Sequence, residues 1–430
     1  MARRSRSPAR GEWRVVEAQC NGQSTPPQPT PADEQLYGSG KGVKPMRIPM
    51  WSAHPGGQSS LRAARACDRP DLMFLSYHLG FDWSHITKSC AARGVEPPER
   101  GPLYNTLSEA MRSVYLRHGE RERRIYEAWC LLTTLLIVPT YVAHVTSPAI
   151  WNTLGLSFLF TTYFLNIFHM RHHRGKTFNN RTLTALTSPL YDTLDNTFGI
   201  HIESWLLSHN ARHHVHTNHE DHDPDIKITA NLMRLHPVRP VNWFNKWQSV
   251  YCPALFSLAV GMYPWLNAFV KTPRGQRGYL MLWMALCVAV PYSQHGLVGL
   301  AWIAGMYALT STAVAYLFTV SHNNDGIEYA HDTPARIDEW ITHQVVSAVS
   351  WGGYAATLVC GGLNLQIEHH LAPAHVPTLY HHFRPELQRI LAEHKVAYKF
   401  HPSLLDAAIG MHSRLHQLGG GMLHITSVYM

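Results

Sequence analysis

The stretch "WNTLGLSFLFTTYFLNIFHMRHH" (Trp151–His173) runs a largely apolar segment straight into a knot of histidines. Its apolar part, 151–168, is close to the ~20 residues a helix needs to cross about 30 Å of hydrocarbon. Its last letters space His169 and His173 one helical turn apart, so both imidazoles fall on one face and can hold one ion together. A helix that leaves a bilayer and at once presents metal ligands is a mainly α, integral-membrane expectation.

Neighbouring runs extend it. "AWCLLTTLLIVPTYVAHV" (128–145) precedes it across a "TSPAI" break and follows the basic "RHGERERR" (117–124), which predicts a transmembrane hairpin. A second hairpin fits 278–294 and 296–320. The segment 253–270 is also apolar but is interrupted by Pro264, and a full span there would strand the basic "KTPRGQRG" on the far side. The positive-inside rule therefore puts 253–270 in the interface and leaves four spans with both termini cytosolic.

Composition agrees. Hydrophobic residues make up 45% of the 430-residue chain and charged residues 15%, a low charge fraction for a soluble protein. The net charge of +8 sits in a Ser/Pro-rich start (Arg3, Arg4, Arg6, Arg10) and beside the apolar runs, a placement that suits a membrane surface and not nucleic acid. The seven cysteines are far apart with no CxxC pair, which predicts neither a disulfide framework nor a zinc site and suits a reducing compartment. Residues 1–36 are polar and Pro-rich and read as disordered. They lack the apolar core of a secretory signal, although an organellar transit peptide fits an Arg-rich start.

The thirty histidines need a chemical reason. After "HMRHH" come "HNARHHVHTNHEDHDPD", where His209 and His213 share a helix face beside His214; "SHNND" with His322; and "QIEHH" with His369 and His370. In the four-span topology all four clusters lie on one side of the membrane. Neutral imidazoles without thiolate suit borderline redox metals. Eight is too many for one ion and suits two, a dinuclear iron centre able to activate oxygen towards an unactivated C–H bond.

The series H-x3-H, H-x3-HH and Q-x2-HH, interleaved with two apolar hairpins, resembles the integral-membrane fatty acid desaturases, and Gln366 in the third box is similar to their front-end branch. "HEDHDPDI" and the text after "HHLAP" resemble the same family, over roughly 120–410. The resemblance implies a four-helix membrane domain capped by a cytosolic His-box region, with non-haem di-iron ligands His169, His173, His209, His213, His214, His322, His369 and His370. Gln366 stands where other branches place a histidine. His172, Asp223 and Asp225 are expected as further ligands or as groups orienting ligand imidazoles; His216, His219 and His222 are expected around the site or at the surface, and Glu368 is expected to hydrogen-bond a ligand. The family's second box more often reads H-x2-HH, so the extra residue makes His209 the least secure of the eight.

An oxygen-activating centre needs electrons. "WSAHPGG" (51–57) offers a tight turn exposing His54, and His78 follows 24 residues on, so the two can supply both axial ligands of a haem b. HPGG with a second histidine at this spacing resembles cytochrome b5, whose fusion ahead of the membrane region is characteristic of front-end desaturases. The Gly- and Pro-rich "YGSGKGVKPMRIPM" is a poor version of the strands that should precede it, so a small, shortened α+β module is expected.

The expected organisation is a disordered 1–36, a cytochrome b5-like module at 37–110, a desaturase domain at 120–410 and a tail at 411–430. The expected activity is oxygen-dependent insertion of a cis double bond into a long-chain, polyunsaturated fatty acyl-CoA or acyl-lipid. Two hydrogens leave adjacent carbons and oxygen leaves as water, with electrons entering from a donor such as cytochrome b5 reductase. A sphingolipid long-chain-base desaturase or an acyl hydroxylase shares these motifs. A non-catalytic membrane haem- or metal-binding protein is the reading from outside the class. The endoplasmic reticulum membrane is the expected location, ahead of a plastid membrane.

Overall fold

The computed structural model describes residues 35–39, 45–49, 54, 57–195, 202–228, 232–259 and 277–420. The expectation of disorder over 1–36 thus falls almost wholly outside the described residues, as do 260–270 of the interfacial segment and the last part of the tail.

Helices dominate. The longest, Pro102–Thr146, starts at Pro102, whose missing N–H costs nothing in a first turn. Its next two free amides, of Leu103 and Tyr104, donate at 3.1 and 2.9 Å to the Asp338 carboxylate, a cap supplied from far along the chain. The first half of this helix is polar, with Arg123 held between Glu120 and Glu127 at 2.7 and 2.8 Å. The second half turns apolar and exposed: Leu135 is 63% accessible, and across the hairpin Trp151 is 78%. Large apolar side chains left open on adjoining helices form an exposed apolar belt.

The chain reverses at Ser147 and returns as Ile150–Thr162, Tyr163–His169 and Met170–Arg174, one continuous helical run whose middle part is a π-helix. Antiparallel packing shows in Asn152 Nδ2 donating to the Ala143 carbonyl at 3.3 Å and in the Tyr126 hydroxyl donating to the Asn166 carbonyl forty residues on.

Arg277–His322 is, with Pro102–Thr146, one of two helical runs long and apolar enough to cross a membrane among the described residues. It is not one rod. Gly296 has φ 58° and ψ −139°, and beyond it the chain doubles back. A Cβ on Gly299 would lie 2.2 Å from the Pro291 carbonyl oxygen, and Cys287 Sγ lies 3.4 Å from the Tyr307 hydroxyl, twenty residues away, where a straight helix would separate them by about 30 Å. The expected hairpin at 278–294 and 296–320 is present, with its turn at Gly296. The two hairpins meet through the Tyr141 hydroxyl on the Leu286 carbonyl at 2.6 Å and Thr310 Oγ1 on Ser157 Oγ at 3.1 Å. Gln248–Ala259 packs on the second, with Ser311 Oγ donating to the Phe256 carbonyl at 2.5 Å.

Shorter helices gather at one end of this bundle. Gln366–Leu371 is delivered by Gly361, whose φ of 59° ends the helix Tyr354–Cys360 and brings the backbone so close to the Leu165 carbonyl that a Cβ would sit 2.2 Å from it. Two short sheets are all the strand structure described: Leu36–Tyr37 antiparallel to Met46–Arg47, and Ser350–Trp351 parallel to Phe400–His401. The helix Pro70–Tyr77 is built into the main core, with Leu72, Met73 and Leu75 buried in the same cluster as Phe164 and Ile367. The expected boundary at 410 falls inside a helix, Leu404–Leu418, whose Met411, Leu415 and Leu418 are buried.

Candidate metal centre

Each histidine box sits where a helix ends. The first closes the run that begins at Ile150, and its π-helical stretch over Tyr163–His169 rotates His169 inward, fully buried beside His173. The second box lies in another π-helix, Leu206–His213. There the amide of His214 donates to the carbonyl of His209, five residues back, at 3.0 Å. A π-turn absorbs one residue more than an α-turn and often marks functional sites.

His209 and His213 do share a face, as the spacing predicts, with their rings stacked 5.3 Å apart. Their donor nitrogens nevertheless fall in different groups: that of His209 lies with His214, that of His213 with His322 and His370. The eight expected imidazoles thus form two buried sets whose ligand nitrogens lie within 4.8 Å of one another: His169, His173, His209, His214 and His369 in one, and His213, His322 and His370 in the other. The extra residue in the second box is what the π-turn takes up, so His209 keeps its place in the larger set. The adjacent pairs His213–His214 and His369–His370 have the same logic. Consecutive side chains on a helix point about 100° apart, so each pair sends one imidazole into each set, and His214 and His370 stack at 4.2 Å where the sets adjoin.

The donor geometry suits metal ions. His169 Nε2 lies 2.8 Å from His209 Nε2 and 3.1 Å from His173 Nε2, and His214 Nε2 lies 3.2 Å from His209 Nε2. Neighbouring ligands on one ion with bonds of about 2.1 Å stand roughly 3 Å apart. Ring nitrogens of His213, His369 and His370 are buried with no hydrogen-bond partner, at about 1–3 kcal/mol each unless a cation takes them. The residues therefore fit two nitrogen-ligated ions. Gln366 places its amide 2.7 Å from His322 Nε2, and a 180° amide flip turns its oxygen to the same point, a further donor for the smaller set.

Behind the ligands stand orienting groups. Asp223 lies 3.1 Å from His213 Nδ1 and is itself held by the Asn218 and Asp225 amides at 2.8 and 2.9 Å. Asp225, half exposed, reaches His213 only at 3.4 Å. Burial alone would push His213 down, but Asp223 and then Asp225 outweigh it and raise the group to about 9. In the larger set burial first and neighbouring imidazoles second act the other way and lower His169 to about 3. Three further partners reach the ligands from outside the histidine boxes: Gln344 Oε1 and Thr217 Oγ1, at 2.8 and 3.1 Å from His370 Nδ1, and the Tyr77 hydroxyl, 2.7 Å from His173 Nδ1. A tyrosine directly before a candidate haem ligand was the one legible clue among them.

Other expected residues lie apart. His172 joins neither set; its Nε2 is 3.7 Å from Asp195. His216 pairs with Asp68 at 2.7 Å and forms with His222 a separate group. Glu368 does not touch a ligand imidazole: its carboxylate accepts from Ser350 and Tyr398, at 2.9 and 2.5 Å.

In the front module, His54 and His78 lie edge to face with ring centres 6.3 Å apart, beside a cavity of about 90 Å³ whose lining includes Met46, Leu61, Met73 and Phe74. Imidazoles on opposite sides of one ion, with bonds of about 2.0 Å, have ring centres roughly 6 Å apart. His78 Nδ1 is held by the Phe74 carbonyl at 2.7 Å, which leaves its other nitrogen for a ligand. Burial, then His78 and Arg93, lowers His54 to about 4, so the imidazole is neutral and ready to coordinate.

The model of the fatty acid desaturase family matches residues 159–402, from the first box past the third. The chain belongs to the fatty acid desaturase family. Among similar curated proteins, "Probable Delta(5) fatty acid desaturase C" of Dictyostelium discoideum is 25% identical over 406 residues, covering 82% of this chain and 85% of its own. "Acyl-lipid (7-3)-desaturase, chloroplastic" of Chlamydomonas reinhardtii is 27% identical over 390 residues, 80% of this chain and 72% of its own. These relatives place the desaturase in the front-end branch and make it an oxidoreductase.

Proposed function

We propose that this desaturase inserts a cis double bond into a long-chain, already unsaturated acyl group held by a lipid or coenzyme A. Two iron ions would be held by the two histidine sets, and a haem b between His54 and His78 would feed them. The observation that carries this reading is the division of eight buried imidazoles into adjoining sets of five and three. When bound, the iron pair supplies the one-electron redox chemistry with oxygen that an unactivated C–H bond requires.

The chain's own residues do the rest. Asp223, Gln344, Thr217 and Tyr77 fix ring orientation at His213, His370 and His173, so the donor nitrogens are set before an ion arrives. Trp205, stacked on His209 at 4.5 Å, and Phe318, 5.7 Å from His169, wall the larger set with aromatic carbon on the side of the apolar helices. That wall excludes water and suits an acyl chain entering from the bilayer. Four membrane spans, 128–146, 150–168, 277–295 and 297–320, are supported by the exposed apolar belt and by the Gly296 reversal, with the histidine sets on the cytosolic side. The endoplasmic reticulum membrane remains the favoured location, and a fluorescent fusion would separate it from a plastid membrane.

Lipid profiling of a host expressing the chain tests the reading. New double bonds in polyunsaturated acyl chains are expected. Unsaturated sphingoid bases would move the assignment to long-chain-base desaturation, a hydroxylated chain to hydroxylation, and no new lipid from an iron-loaded protein to a non-catalytic binding role.

A further inference from the structure

Tyr77 stands between the two candidate redox sites. Its backbone carbonyl is bonded to His78, its ring lines the pocket between His54 and His78, and its hydroxyl lies 2.7 Å from His173 Nδ1. The other nitrogen of His173 faces His169 Nε2 at 3.1 Å, so Nε2 points into the larger set and Nδ1 points back to the front module. One peptide bond, one side chain and one hydrogen bond thus connect the two sites.

The front module is also fastened in place. Cys67 Sγ donates to the Ala211 carbonyl, inside the second histidine box, at 3.2 Å. The buried Arg69 guanidinium donates to the Pro334 and Ala335 carbonyls at 2.6 and 2.9 Å. His375 Nε2 meets the Leu79 carbonyl at 2.8 Å, just after the third box. A haem carrier on a flexible tether would need a docking step before each transfer, whereas here the helix Pro70–Tyr77 is part of the core.

We propose that Tyr77 is the relay that carries electrons from the haem pocket to the five-histidine set, through its hydrogen bond to His173. This rests on the reading that those two places hold haem and iron. Each step moves one electron: the haem iron goes from ferrous to ferric and one non-haem iron from ferric to ferrous. Two steps serve one turnover, and a reduced flavoprotein or other external donor re-reduces the haem.

Tyr77→Phe keeps the ring and removes only the hydroxyl. The full chain, purified in detergent without oxygen and with its non-haem iron ferric, is mixed with a sub-stoichiometric amount of photoreduced flavin, and haem re-oxidation is followed by its absorption. The variant is expected to keep wild-type haem and iron contents and the wild-type haem spectrum while transfer slows by about 10-fold or more, the scale of losing a group behind a metal ligand. Cys67→Ser, at another contact between module and box, is the control and is expected to transfer at the wild-type rate.

An unchanged transfer rate in Tyr77→Phe overturns the relay. So does equal slowing in Cys67→Ser, which would make docking and not the hydroxyl the cause. Loss of iron with unchanged transfer per remaining iron overturns it too, leaving Tyr77 as an anchor for His173 alone. Wild-type protein that takes up no haem would instead sink the reading beneath the proposal, an outcome visible before any variant is made.

Discussion

The two histidine sets are unequal, and each makes up in a different way what it lacks. The larger has five imidazoles, lined by aromatic rings, and among the described residues the Tyr77 hydroxyl on His173 is the one side chain from outside the set that hydrogen-bonds a ligand. The smaller has three imidazoles, but His213 is gripped by Asp223, His370 by Gln344 and Thr217, and Gln366 stands over His322. Five donors define an ion's position by number, while three need their rings fixed from behind. The smaller set should therefore be the more fragile half of the centre and the more sensitive to residues that never touch a metal.

The largest expected effect comes from taking a ligand away from it. His370→Ala leaves two imidazoles, and product should fall to the background of the expression host while bound iron drops from about two per chain to about one. His209→Ala leaves four in the larger set, which is enough for an ordinary coordination shell; it should keep both irons and retain part of the activity. Lipid profiles and iron analysis of the two variants side by side would reveal equal damage if the asymmetry were wrong.

Acid should separate the sets next. His213 without metal holds its proton up to about 9, so across pH 8 to 6 a proton competes with the ion for that nitrogen, and apparent affinity falls by up to about tenfold per unit. His169, lowered to about 3, stays neutral over the same range. Iron should leave the smaller set first as pH falls, in one resolved step of a chelator titration. Simultaneous release of both ions would break the comparison.

Two conservative changes sharpen it further. Asp223→Asn keeps the shape but removes the carboxylate behind His213, and is expected to lower activity by about 10- to 100-fold with the apolar core intact. Gln366→Ala should cost least, roughly fivefold in iron affinity, the scale of one neutral polar contact. A loss as deep as that of His370→Ala would instead make Gln366 an obligatory ligand.

Much of this centre was legible from residue order. The order of apolar runs and histidine boxes points to the family whose model matches 159–402, and the HPGG turn with its later histidine singles out His54 and His78, which lie 6.3 Å apart. What could not be read is register set by packing. Nothing local in "LLSHNARHH" announces a π-turn, yet that turn brings the donor nitrogen of His214 to that of His209, while His213, stacked on His209, gives its own to the smaller set. Glu368 looked like a partner for a ligand because it lies between Gln366 and His369, but Ser350 and Tyr398 claim it from distant segments. Tyr77, Gln344 and Thr217 reach the site across long stretches of chain. The front module likewise read as a separate unit, whereas Pro70–Tyr77 shares the main core.

The central claim, two non-haem irons in unequal histidine sets, is tested most directly by Mössbauer spectroscopy on purified, iron-57-loaded protein with metal analysis alongside. The account predicts about two non-haem irons per chain, magnetically coupled and resolved as two inequivalent sites. A single iron, two identical sites, or zinc in place of iron would contradict it.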